Sequence, residues 1–234
     1  MLHAVSDDGG LGFCHAALPA LFPAGYHGPL VVALDSNILI DMQQHGNTLL
    51  DGGAPHVGEL YQVELLALGS VLDVWLMRDI RFIATPRSRT DGRRGTDHVL
   101  AKRERAIDAL GETLAFQYSD WTVVAPADFE DLHEYGTIDG LPEGADRDLV
   151  GEAQSVGAHV FLTRDRAVLG RAVVDGRALG VMSPTALLDQ LVSAGVQPFA
   201  GGLCQDVACP YRRSSVLAPD TGKWSSLFSI FEDE

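Results

Sequence analysis

Two rhythms of apolar residues run along this chain. Short unbroken apolar runs alternate with longer segments in which apolar residues recur every three or four positions. The segment PLVVALDSN (29–37) opens the series: Val31 to Leu34 run without a polar break and stop at Asp35. Such a run marks a central parallel strand covered on both faces. Ile38, Leu39, Ile40 and Met42 predict a helix starting directly after Asn37. GNTLLDGGAPHVG then reads as a loop, and ELYQVELLALGSVLDVWLMR (59–78) has the spacing of a helix. RFIATP (81–86) reads as a short strand whose proline suits the first turn of a helix. Residues 96–116 predict a long amphipathic helix with Thr96 as its cap, and WTVVAP (121–126) another strand. Residues 145–158 predict a helix ended by Gly157, followed by the buried strand HVFLTRD (159–165). A fifth strand is expected within 177–182. SPTALLDQLVSAG then opens a helix with a serine cap and a proline at its first position.

Strands alternating with helices imply right-handed crossovers and a parallel sheet. The expected fold class is α/β: a three-layer α/β/α sandwich with a central parallel sheet of four to five strands, over residues 29–196. Residues 1–28 read as an irregular N-terminal arm, and 197–234 as a C-terminal tail.

Composition narrows the classes of function. The 234 residues are enough to bury a core without staples. No apolar run approaches the length of a membrane span, and the N-terminus lacks the features of a signal peptide. Cys14, Cys204 and Cys209 form no CxxC pair, so free thiols in a reducing, cytoplasmic setting are expected. The net charge of −15 argues against unselective binding of polyanions. The basic residues are nevertheless concentrated. Arg78, Arg81, Arg87, Arg89, Arg93, Arg94, Lys102, Arg103 and Arg105 supply nine of the 17. That run is either a local surface for a phosphate backbone or a solvated face laced with Glu104 and Asp108.

In a parallel sheet, functional residues sit just beyond the carboxyl ends of the strands. Asp35 and Asp165 both end strands there. Asp146 and Asp148 open the helix that leads to Asp165. Each has an ordinary alternative role as a helix cap or a first-turn acid. Asp35, Asp146 and Asp165 brought together would repel one another unless a hard cation lay between them. A hard divalent cation such as Mg²⁺, held by oxygen ligands, is the expected cofactor. No Ser–His–Asp arrangement, Walker loop or GxGxxG follows the first strand.

VVALDSNILID resembles the opening motif of PIN-domain nucleases, and ADRDLVGEAQSVGAHVFLTRD resembles their closing motif. The resemblance covers roughly residues 29 to 192. It implies a Mg²⁺- or Mn²⁺-dependent ribonuclease, with RNA as substrate and an antitoxin or a second copy of the chain as possible protein partners. Asp35, Asp146 and Asp165 would be metal ligands, with Asp148 supporting or replacing Asp146. Ser36 and Asn37 would orient the Asp35 carboxylate or a metal-bound water. The family's usual glutamate after the second strand is replaced here by Asp91, expected as the fourth acid, with Glu59 and Glu64 as alternatives. Arg87, Arg89, Arg93 and Arg94 would border the pocket and hold phosphates. The missing glutamate keeps a second expectation open, a catalytically weak module that binds RNA or a protein partner.

Overall fold

The structure is a computed structural model that describes residues 12–91, 138–170, 173–174 and 179–196, together with Ala101, Arg105 and Leu110. In chain order, β1 (Phe13–Cys14) and β2 (His27–Gly28) pair antiparallel. They precede β3 (Leu30–Leu34), whose five residues are all buried. Helices α1 (Ser36–Leu50) and α2 (Glu59–Met77) lead to β4 (Ile80–Ala84) and the short α3 (Pro86–Asp91). After β5 (Ile138–Asp139) come α4 (Ala145–Ser155), β6 (Val160–Leu162) and α5 (Arg166–Leu169). The described chain ends with β7 (Val173–Val174), β8 (Gly180–Met182) and α6 (Pro184–Ser193). The strands β5 and β7 pair antiparallel.

The central sheet has the order β4-β3-β6-β8, with every described pairing parallel. The chain builds β3, adds β4 on one side, then crosses to β6 and β8 on the other. That reversal makes a topological switch point between β3 and β6, the place where open parallel sheets carry their ligand crevice at the carboxyl edge. The register places Leu34 beside Ala84 and beside Leu162. Asp35, Thr85 and Thr163 therefore follow three neighbouring strands at one level.

Alternation along the strands sorts their side chains to two faces. Leu30, Val32, Leu34, Phe82, Val160 and Leu162 pack against apolar residues of α1, α2 and α6. Val31, Ala33, Ile83 and Phe161 pack against Leu149, Val150 and Ala153 of α4. Helices thus cover both faces, as the unbroken apolar runs require. Local signals end the elements where expected. Gly157 takes φ +75° after α4, and Ala158 N–H donates back to the Ala153 carbonyl at 3.1 Å. Ser183 accepts from Ala186 N–H at the start of α6, with Pro184 behind it.

One expectation needs correction. The loop expected from Gly46 begins only after Leu50, because α1 continues for another turn. Leu49 is buried there, packed against α2 at Gly69. In the described part of the arm, residues 12–28, Phe13, Leu18, Leu21 and Phe22 belong to the main core. The strand expected at 121–126, most of the helix at 96–116 and the tail from 197 lie outside the described residues. Among the described residues no helix is long and apolar enough to cross a membrane.

Candidate functional site

Asp35 occupies the N-cap position of α1, yet its side chain caps nothing. It is 5% exposed, and its carboxylate is held from two elements. Thr163 Oγ1 donates to Oδ2 at 2.5 Å, and Asn37 Nδ2 donates to the same oxygen at 2.5 Å. Ser36 Oγ donates to Oδ1 at 3.2 Å. The ordinary role of a strand-end aspartate is therefore absent at this position. In its place is a carboxylate fixed in orientation at the switch point.

The donors are themselves fixed. Asn37 Nδ2 also lies 3.2 Å from Thr163 Oγ1, and its Oδ1 accepts from Arg164 N–H at 3.1 Å. Thr163 is fully buried, and its hydroxyl oxygen accepts from Asp165 N–H at 3.0 Å. A single hydroxyl thus links the Asp35 carboxylate to the backbone of Asp165. Asp165 is exposed, and its Oδ1 accepts from Ala167 N–H at 2.7 Å, which caps α5. Here the ordinary helix-cap role does hold.

The remaining expected ligands sit farther round the edge. Arg87 directly follows the carboxyl end of β4 and Pro86. Its guanidinium pairs with Asp148, and its backbone N–H donates to Glu152 Oε2 at 3.0 Å. These contacts bring the first turn of α4 to the same sheet edge. Asp146, half-buried in that turn, lies on this edge as well. Asp148 is exposed and engaged by Arg87, so each of these two is a partner of the other here. Asp91 is the last residue of α3, and its side chain, like that of Arg89, lies outside the described set. Arg93 and Arg94 lie outside it entirely. Glu59 is exposed at the start of α2, and Glu64 accepts from Thr185 N–H at 3.0 Å, tying α2 to α6.

The basic run does not form one surface. Arg78 and Arg81 are buried at the opposite, amino end of β4, where Arg81 pairs with Asp79 at 3.0 Å. Arg78 and Arg81 are therefore not placed to meet a phosphate backbone.

Among the described residues no three His, Cys, Asp or Glu side chains are grouped to hold a metal ion. Asp35, Asp146 and Asp165 share an edge but are not gathered into the three-carboxylate cluster expected from the motifs. The donor set remains one of hard oxygens, which suits Mg²⁺ or Mn²⁺. Mg²⁺ typically takes one or two carboxylates, with waters and substrate phosphate completing its shell. Asp35, oriented by three donors, and Asp165, joined to it through Thr163, are the acids that such a smaller ligand set would draw on.

Sequence reasoning passed over Asp41, Tyr61 and Arg164. Arg164, between Thr163 and Asp165, pairs with the fully buried Asp41 of α1. Both lie inside the two motifs, at the last residue of DSNILID and the middle of TRD, but nothing in either motif shows that they meet. No family model matches the chain, and no curated protein or solved structure matches it.

Proposed function

We propose that this chain is a divalent-cation-dependent nuclease that hydrolyses RNA phosphodiester bonds at the crevice between β3 and β6. The observation that carries the reading is the buried Asp35 carboxylate, oriented at a topological switch point by Ser36, Asn37 and Thr163. A ligating carboxylate needs such partners, because they fix its lone pairs before the ion arrives.

Asp35 and Asp165 would hold the cation, with Asp146 reaching it from the first turn of α4. When bound, the ion polarises a phosphoryl oxygen and lowers the pKa of a coordinated water. The chain's own residues supply order. Thr163 and Asn37 keep Asp35 Oδ2 in place, and the α5 cap keeps Asp165 turned along the edge. Arg87, at the same sheet edge, would border the phosphate path and position a substrate without reading its sequence.

A second reading has one observation in its favour, since the described acids form no three-membered metal group. In that reading the module binds RNA and does not cut it. One experiment separates the two. The nuclease reading expects Mn²⁺-dependent cleavage of a looped RNA, removed by EDTA and lowered at least about a hundredfold by Asp35→Asn. RNA binding with no cleavage at any Mn²⁺ concentration would overturn it in favour of the binding module.

A further inference from the structure

One ion pair beside the crevice has no part in the chemistry above. Asp41 is 0% exposed and sits on α1 one turn beyond Asn37. The Arg164 guanidinium meets it twice, through Nε to Oδ2 and through Nη2 to Oδ1 at 2.8 Å. The guanidinium also lies over the Tyr61 ring, 4.2 Å from its centre. The Tyr61 hydroxyl donates to Asp41 Oδ1 at 2.5 Å, and burial with that bond pushes its pKa up to about 12. The phenol therefore stays a donor at any working pH.

Asn37 and Asp41 are four residues apart and share one face of α1. The first takes the backbone N–H of Arg164, and the second takes its side chain. Residues 163–165 are thus pinned to α1 at two points a helical turn apart. Stability alone is a poor reason for this arrangement, because a buried ion pair is commonly no better than apolar packing of the same volume.

Charge offers a better reason. A guanidinium on a long stem pairs readily with any carboxylate in reach and never loses its proton. Arg164 is the immediate neighbour of Asp165 and lies one residue from the threonine that holds Asp35. Its side chain nevertheless bonds to neither acid and is spent on Asp41 and Tyr61.

We propose that Asp41 and Tyr61 are positioning residues that holster Arg164, holding residues 163–165 on α1 and keeping the guanidinium off the Asp35 and Asp165 carboxylates. Arg164 then does not compete with a divalent cation for those two acids. This inference rests on the metal-dependent reading of the site.

The test measures Mn²⁺ affinity by titration calorimetry in the full chain, for the wild type and for Asp41→Asn, Asp41→Asn/Arg164→Gln and Arg164→Gln. Asp41→Asn releases the guanidinium and is expected to weaken Mn²⁺ binding about tenfold, the discrimination of a modest charge competitor. Removing that charge in the double variant restores binding to within about threefold of wild type. Equal weakening in the single and double variants overturns the proposal, as does unchanged binding in Asp41→Asn. Should Asp41→Asn fail to fold, Arg164→Gln decides: Mn²⁺ binding as strong as wild type supports the holster, and loss as severe as in Asp35→Asn overturns it.

If the wild type itself binds no Mn²⁺, the metal reading falls, and amide hydrogen exchange judges the pinning alone. In Arg164→Gln, faster exchange confined to residues 163–167 supports it. Exchange raised equally in residues 184–193, or unchanged everywhere, overturns it.

Discussion

Thr163 Oγ1 donates a 2.5 Å hydrogen bond to Asp35 Oδ2, joining residues 128 positions apart in the chain. The two stand side by side because β3 and β6 pair in parallel, with Leu34 level with Leu162. The hydroxyl also accepts from Asp165 N–H, so one group sets both acids of the crevice.

Thr163→Val keeps the shape of the side chain and removes that hydroxyl. Cleavage is expected to fall by about 10- to 100-fold, the usual effect of losing a group that orients a metal ligand. Unfolding free energy is expected to drop by about 1–3 kcal/mol, since a buried carboxylate loses a donor. Thr163→Ser restores the donor and most of the activity. Steady-state cleavage rates and urea denaturation of the two variants check this, and a Val variant as active as Ser refutes the role.

Asp146 and Asp148 differ in what they do on α4. Asp148 is exposed and paired with Arg87, and such a surface pair contributes only about 0–1 kcal/mol. Asp148→Asn is therefore expected to leave Mn²⁺-dependent cleavage within about threefold. Asp146→Asn removes a proposed ligand and is expected to lower cleavage by about a hundredfold. Parallel assays of the two variants rank them, and the reverse order would reassign the α4 ligand to Asp148.

His159 links the start of β6 to the N-terminal segment. Its Nδ1 accepts from Val31 N–H at 3.0 Å, and its ring packs edge-on against Phe22 and Tyr26. Burial lowers its pKa from 6.5 to about 4. The unfolded chain then binds a proton in that window that the folded chain refuses. Stability from the neutral ring is full above 6.5 and declines as the pH falls towards 4, by roughly 3 kcal/mol in all. His159→Gln keeps an acceptor without the titration. Unfolding free energies from pH 7 to 4 should slope less steeply in the variant, and identical slopes would contradict the assignment.

Gly157 ends α4 at φ +75°, in open space. A methyl group there meets no neighbour, so the cost of Gly157→Ala is backbone strain alone, about 1 kcal/mol. Thermal unfolding should shift downward by a few degrees with cleavage unchanged. An unaltered midpoint would show that the turn relaxes.

How much of the site the chain announces depends on how local each cause is. Asp35, Ser36 and Asn37 are legible because an apolar strand run stops at a polar triplet. Asp165 is legible because the run before it also ends at the sheet's carboxyl edge. Asp41 and Arg164 could not be matched from sequence, since a helix-face acid and an arginine after a strand have many possible partners. The basic run was misleading for the same reason: burial of Arg78 and Arg81 depends on packing at the far end of β4.

The sequence by itself determined the alternation of strands and helices, the parallel pairing this implies, and the helix ends at Gly157 and Ser183. Those follow from periodicity and backbone chemistry within a few residues. Only the tertiary structure decided the order β4-β3-β6-β8, the burial of residues 12–28 in the core and the meeting of Thr163 with Asp35. It also decided that Arg164 is held by Asp41 and that Arg87 is held by Asp148. Each of these depends on which distant surfaces exclude water together, and that choice belongs to the whole chain.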